Sequence, residues 1–245
     1  MPSPSAIDNI SIILVDTKTP ANIGATARVM MNMGLRRLIL VNPPADPDQE
    51  AFKLAAGAHE VLEKADTFDA LADALSGHNF ALATSRHAGR LRQNILPPRS
   101  AAEMTVPLLA DNRVAVVFGN EVNGLENHDL ALCQQIIAIP SSADFPSLNL
   151  SHAVMIVAYE LYAAAAAPSA GPDAQQTLAD IRELELFYTR LQDTLQTIGF
   201  IDRDNPERMM FSFRQLFGKA RLNSREVSIL QGVLSDIDRK IRSKN

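Results

Sequence analysis

Cysteine occurs once and tryptophan not at all in the 245 residues of this chain. Cys133 on its own excludes an intramolecular disulfide and any multi-cysteine zinc site. Its strand-like setting ahead of Ile136 reads as packing rather than chemistry. No grouping of His, Cys and carboxylates has metal-ligand spacing, so no metal is expected. Aromatic residues are scarce, at 5%, which argues against extensive base stacking and for recognition of any nucleic acid by shape and backbone. Long apolar runs are missing as well. The longest, Ala153 to Ala167, is interrupted by Glu160 and falls short of the ~20 residues that cross a bilayer. With neither the basic start nor the apolar stretch of a signal peptide, the N-terminus points to a cytoplasmic protein.

Positive charge is also in deficit, with a formal net charge of -5, which at first excludes a polyanionic partner. The distribution says otherwise. Asp46 to Asp73 holds eight carboxylates against Lys53 and Lys64, whereas Thr84 to Arg99 carries Arg86, Arg90, Arg92 and Arg99 with no acid. Arg208, Arg214, Lys219, Arg221 and Arg225 form a second acid-free segment. Such segments suit a polyanion or simply a solvated surface, and composition leaves both open.

What the chain does have is 47% hydrophobic residues arranged in two regimes. Ser11–Val15, Leu38–Val41, Phe80–Thr84, Val114–Phe118 and Ile136–Ile139 read as buried strands. Between them, Ala25–Met33, Ala51–Leu62, Phe68–Leu75 and Leu125–Leu130 read as helices, and the alternation implies an α/β fold with a parallel sheet covered on both faces. Leu150, Ala153, Val154, Val157, Ala158 and Leu161 mark one face of a closing helix. The expected domains are residues 1–166, a proline- and glycine-marked linker over 167–177, and a small all-α extension over 178–245 with helices at Leu178–Ile198, Pro206–Gly218 and Ser224–Ser243.

Ligands in open parallel sheets bind beyond the carboxyl ends of the strands, and three unusual stretches fall there. TPANIGATAR contains Asn22, a glycine that lets the backbone turn, and Arg28 on a mostly apolar element; function and a structural ion pair are both open for Arg28. VVFGNEVNGL places Glu121 between Gly119 and Gly124, with neither G-x-G-x-x-G nor the Lys-Ser/Thr of a phosphate loop. IPSSADFPSLNLSHAV brings Ser147, a candidate N-cap, and Asn149 to a helix start.

N-x-G-x-x-x-R, F-G-x-E-x-x-G-L and I-P followed by S-L-N-L-S, in this order, resemble the three motifs of the SpoU, or TrmH-like, branch of the SPOUT RNA 2′-O-ribose methyltransferases. LAAGAHEVL, ATSRHAGR and the tail FYTRLQDTLQTIGFID with MMFSFRQLFGKARLNSREVSILQGVL resemble the TrmJ subfamily, which methylates nucleotide 32 of the tRNA anticodon loop. Asn120 stands where TrmJ-type sequences commonly carry arginine. The resemblance implies a deep trefoil knot at the carboxyl end of the sheet, S-adenosylmethionine as cofactor, tRNA as partner, and a homodimer in which the first motif of one subunit completes the site of the other. Carried over by position, it assigns cofactor binding to Thr84, Ser85, Gly119, Ile139, Ser147 and Leu148, and catalysis to Arg28, Asn22, Glu121, Ser147 and Asn149. RNA binding would fall to Arg86, Arg90, Arg92, Arg208, Arg214, Lys219, Arg221 and Arg225. Because a guanidinium holds its proton, Arg28 is expected to fix the ribose oxygen and phosphate rather than to act as a base. An rRNA methyltransferase of the same family and a non-catalytic RNA-binding homologue are the competing readings.

Overall fold

A computed structural model describes residues 7–44, 49–85, 95–167, 176–201 and 206–243. Seven strands lie in one sheet: β1 (Ile10–Val15), β2 (Arg37–Val41), β3 (Asp66–Phe68), β4 (Phe80–Thr84), β5 (Ile95–Leu96), β6 (Val114–Phe118) and β7 (Gln135–Ile137), in the order β3-β2-β1-β6-β4-β7-β5. Every pairing is parallel. The apolar runs ISIILV and VAVVF become β1 and β6, buried at every position, as expected of strands covered on both faces.

Alternation along these strands builds two cores. Ile10, Ile12, Leu14, Val114, Val116 and Phe118 face the longer helices α1 (Pro20–Asn32) and α7 (Leu150–Ala166). Ile13, Val15, Ala81, Ala83, Ala115 and Val117 face α4 (Leu71–Leu75), Leu130 and Ile181. Alanines on that second face leave room for closely packed helices. Cys133 lies fully buried there, its thiol pushed up by burial beside Asp129, consistent with packing.

Several sequence-based boundaries shift. The expected helix 51–62 is two short helices, α2 (Gln49–Leu54) and α3 (His59–Glu63), parted around Gly57 at φ +84°. The expected helix 68–75 begins as strand β3 and becomes helical only from Leu71. Edge strands β3 and β5 were not foreseen, being three and two residues long and outside the fully buried centre. The final strand stops at Ile137 rather than Ile139. Residues 98–105 form α5 (Pro98–Thr105) and Asn127–Ala131 forms α6, starting two residues after the expected Leu125.

Beyond α7 the described chain resumes as α8 (Ile181–Thr197), α9 (Glu207–Ala220) and α10 (Ser224–Arg242). They form their own core around Leu184, Phe187, Tyr188, Leu191, Met210 and Val227. The segment leading into α8 is clasped at the amino end of the sheet. Asn112 donates to Gln176 O (3.0 Å) and accepts from Leu178 N–H (2.7 Å), while Asn79 donates to Leu178 O (2.9 Å).

Candidate active site

At the opposite, carboxyl end of the sheet, the loops following β1, β4, β6 and β7 converge. The helix expected from Ala25 begins five residues earlier, so Asn22–Arg28 lies in the first turns of α1, with Pro20 at its opening position, where a missing N–H costs nothing. Gly24 does not make a turn. A Cβ there would lie 2.0 Å from Ala51 O, so the glycine lets α1 approach α2 backbone to side.

Helix α1 has no acid in its first turn and no side-chain cap from Thr19. Glu121, about a hundred residues later, supplies both. Its carboxylate accepts from Lys18 N–H (3.1 Å), Thr19 N–H (3.3 Å) and Asn22 Nδ2 (2.7 Å). Anion and helix N-terminus are thereby matched. Burial pushes the Glu121 carboxyl up, but the donors from Asn22, Lys18, its own N–H and Thr19 outweigh it and hold the group below the usual glutamate range. The register explains the meeting: Leu14 lies beside Phe118, so the loops leaving β1 and β6 emerge next to each other. On the other side of β1, Asp16 and Asn42 both adopt positive φ, 53° and 47°, and are joined by Asn42 Nδ2 to Asp16 Oδ1 at 2.6 Å, which ties the ends of β1 and β2 together.

Asn22 passes the connection on. Its Oδ1 accepts from Asn149 Nδ2 at 3.0 Å, and Asn149 Oδ1 accepts from Ser151 N–H (3.0 Å) and Ser151 Oγ (2.8 Å). Asn149, not Ser147, is thus the N-cap of α7. All three motifs meet in one chain of hydrogen bonds, Glu121–Asn22–Asn149–Ser151.

Beside it opens a cleft of about 800 Å³, counting its open mouth, lined by Thr84, Ser85, Gly119, Glu121, Ile139, Ser147 and Leu148 over a floor of Phe118, Leu125, Ile137, Leu150 and Ala153. Thr84 is fixed by its hydroxyl to Val117 O (3.0 Å), and Ser85 N–H binds Ile137 O (2.9 Å). A Cβ on Gly119 would stand 2.1 Å from the Gly124 carbonyl carbon, so only glycine closes this loop. Asn120 braces it from within, its Oδ1 accepting from Val122 N–H (3.0 Å) and Asn123 N–H (2.8 Å). That brace, and the Lys18 and Thr19 amides, went unforeseen: side-chain type alone does not reveal which amides a loop turns inward.

Arg28 is set apart from this group. It is exposed, lines no part of the cleft, and makes no hydrogen bond or ion pair among the described residues. Within one chain, then, the structure joins Asn22, Glu121 and Asn149 by hydrogen bonds and leaves Arg28 out of that group. In the tail, Arg208, Lys219 and Arg225 are exposed. Arg214 is committed elsewhere. Its guanidinium forms a two-pronged pair with Glu185, lies 4.4 Å over the Tyr188 ring and reaches Ala131 O, a structural post rather than a free cation. Arg221 ends α9 in the left-handed conformation with its guanidinium 6.0 Å from the Phe80 ring. Arg86, Arg90 and Arg92 lie outside the described residues. Among the described residues no group of His, Cys, Asp and Glu could hold a metal, and no helix is long and apolar enough to cross a membrane.

Residues 9–159 match the SpoU rRNA Methylase family, and residues 182–245 match the C-terminal domain of tRNA methyltransferase TrmJ. The tRNA (cytidine/uridine/adenosine-2′-O-)-methyltransferase TrmJ of Pseudomonas aeruginosa is 38% identical, over 96% of each chain. The crystal structure of TrmJ from Z. mobilis superposes with a TM-score of 0.78 at 32% identity, covering 93% of this chain and 98% of that one. At 20% identity, the SpoU methyltransferase AviRb from Streptomyces viridochromogenes, solved with the cofactor AdoMet, shares the fold with a TM-score of 0.51 over 62% of this chain and 59% of that one.

Proposed function

We propose the following activity on the premise that this chain belongs to the SpoU methylase family and, with its tail, to the TrmJ members of it. It is an S-adenosylmethionine-dependent tRNA 2′-O-ribose methyltransferase, and its target is cytidine or uridine at nucleotide 32 of the anticodon loop. The relative from Pseudomonas aeruginosa acts, by its name, on cytidine, uridine and adenosine of tRNA, which supports the ribose rather than one base as the reacting unit.

The cleft fits the cofactor. Its floor is apolar, its rim carries Thr84, Ser85 and Ser147, and Gly119 removes the one side chain that would block the loop. When bound, S-adenosylmethionine supplies a sulfonium methyl. The protein must then hold a ribose hydroxyl in line and favour negative character on its oxygen. Asn149 and Asn22 fix the geometry between cofactor loop and helix α1, and Glu121 keeps Asn22 oriented. Arg28 supplies charge-assisted hydrogen bonds to the 2′-oxygen and the adjoining phosphate. Since it is exposed, unpaired among the described residues and not part of the lining of its own cleft, it serves the cleft of a second subunit in a homodimer. In this reading the loop after β7 is threaded as the trefoil knot of the family, and the exposed cations Arg208, Lys219 and Arg225 hold the tRNA backbone.

The observation that carries the reading is the hydrogen-bond chain from Glu121 through Asn22 to Asn149 on the lip of the cleft. Nucleoside mass spectrometry of tRNA lacking ribose methylation, incubated with S-adenosylmethionine and either native protein or Arg28→Ala, tests it. A 2′-O-methyl nucleoside mapped to position 32 with native protein only is expected. Product on ribosomal RNA but none on tRNA would overturn the substrate, and no product on either would overturn catalysis.

A further inference from the structure

Phe145 has no place in the chemistry above, yet it is 77% exposed, on the loop that also carries Ser147 and Asn149. Among the described aromatic residues it is the most exposed, ahead of Phe200 and Tyr159, and of these three it alone adjoins in sequence a residue that lines the cleft. The loop that carries it has local ties. Phe145 N–H donates to Ser142 O (3.2 Å), Asp144 N–H to Ser142 Oγ (3.3 Å) and Ser141 Oγ to Pro146 O (3.1 Å). Its next neighbour, Pro146, already lines the cleft. Four residues on, Asn149 binds Asn22 at the place the reacting ribose must reach. A ribose delivered there brings its base along, attached one bond away, and a base lifted out of an RNA stack needs a flat partner to replace the one it leaves.

We propose that Phe145 is the stacking platform for the nucleobase of the target nucleotide, and so a positioning residue for methyl transfer. The inference rests on the RNA-methylating reading of the cleft. A ring face accepts any base, which fits an enzyme that selects a position more than a base identity.

The test uses full-length protein and an anticodon stem-loop RNA with 2-aminopurine at the target nucleotide, whose fluorescence falls when the base stacks on a ring. Native protein and Phe145→Trp are expected to quench it, and Phe145→Leu to leave most of the signal. In turnover on tRNA, Phe145→Leu should lose about tenfold in kcat/KM while Phe145→Trp stays near native. Calorimetric affinity for S-adenosylmethionine should be the same in all three. Equal quenching and turnover by Phe145→Leu would overturn the proposal. Cofactor affinity weakened in step with turnover would overturn it too, assigning the ring to the adenine of the cofactor. If native protein methylates no RNA while quenching still requires an aromatic at 145, the methyltransferase reading falls and with it the positioning role, leaving Phe145 as a base-stacking residue only.

Discussion

The two ends of the same parallel sheet are built to opposite rules. At the amino end, Asn79 and Asn112 spend their side-chain amides on backbone groups of the incoming 176–178 segment, and Asn112 is buried with 3% of its surface exposed. At the carboxyl end, the amides of Asn22 and Asn149 bind each other, and Asn149 stays exposed beside an open cleft. The same residue type thus serves closure at one end and presentation at the other. Hydrogen bonds that saturate buried backbone contribute stability. Bonds that orient exposed polar groups contribute geometry, whose loss is felt in rate.

The sharpest break of that contrast is Glu121→Ala. Lys18, Thr19 and Asn22 lose their common acceptor, so methyl transfer should fall about a hundredfold, out of proportion to the roughly 1 kcal/mol of stability that such a cap carries; single-turnover kinetics beside calorimetry measure both. Asn112→Ala should do the reverse. It strands the Leu178 amide and the Gln176 carbonyl, costing about 2 kcal/mol in urea unfolding, with kcat on tRNA preserved at low temperature.

Acid should separate the two ends as well. The Glu121 carboxyl is held below its usual range, so the unfolded chain takes up that proton first as pH falls. Its contribution is complete above about pH 4.3 and is lost below it, and Glu121→Gln should flatten that part of the stability curve. His78, at the amino end, is buried against Ser11 Oγ at 3.0 Å, and burial holds its pKa down despite a bond involving Leu75. The unfolded chain therefore takes up that proton first as pH falls, so stability declines from about pH 6.5 downward. Denaturant midpoints of His78→Gln across pH 5 to 7 should show a shallower slope than native.

The smallest effects belong to the tail and sharpen the distinction between its cations. Arg225→Ala or Lys219→Ala should weaken tRNA binding a few-fold and lower the salt slope by about one with unfolding unchanged. Arg214→Ala should instead lower stability by about 2 kcal/mol through loss of the Glu185 pair and the Tyr188 contact, and shift the salt slope little. A salt slope that changes for Arg214 as much as for Arg225 would erase the distinction.

How much of this was legible residue by residue differs along the chain. The central strands β1, β4 and β6 declare themselves because strands buried on both faces need continuous apolar side chains. Edge strands β3 and β5 do not, since a short strand with exposed side chains has no pattern to read. In the site, all six residues assigned to the cofactor by resemblance line one cleft. Their roles remain part of the proposal. Arg214 counted as one cation among five, because its carboxylate lies 29 residues away in sequence and only helix packing brings the two together.

By itself the sequence determined the parallel α/β core, the helical tail and the residue types gathered at the carboxyl end, for these follow from local periodicity and from the rule that parallel strands open their loops on one side. Only the tertiary structure decided that Glu121 caps a helix begun a hundred residues earlier, that Asn149 rather than Ser147 opens α7, and that Arg28 is not among the residues lining its own cleft. A hydrogen bond needs its partners within about 3 Å and aligned. That condition is met across strand register and helix packing, which no stretch of chain contains on its own.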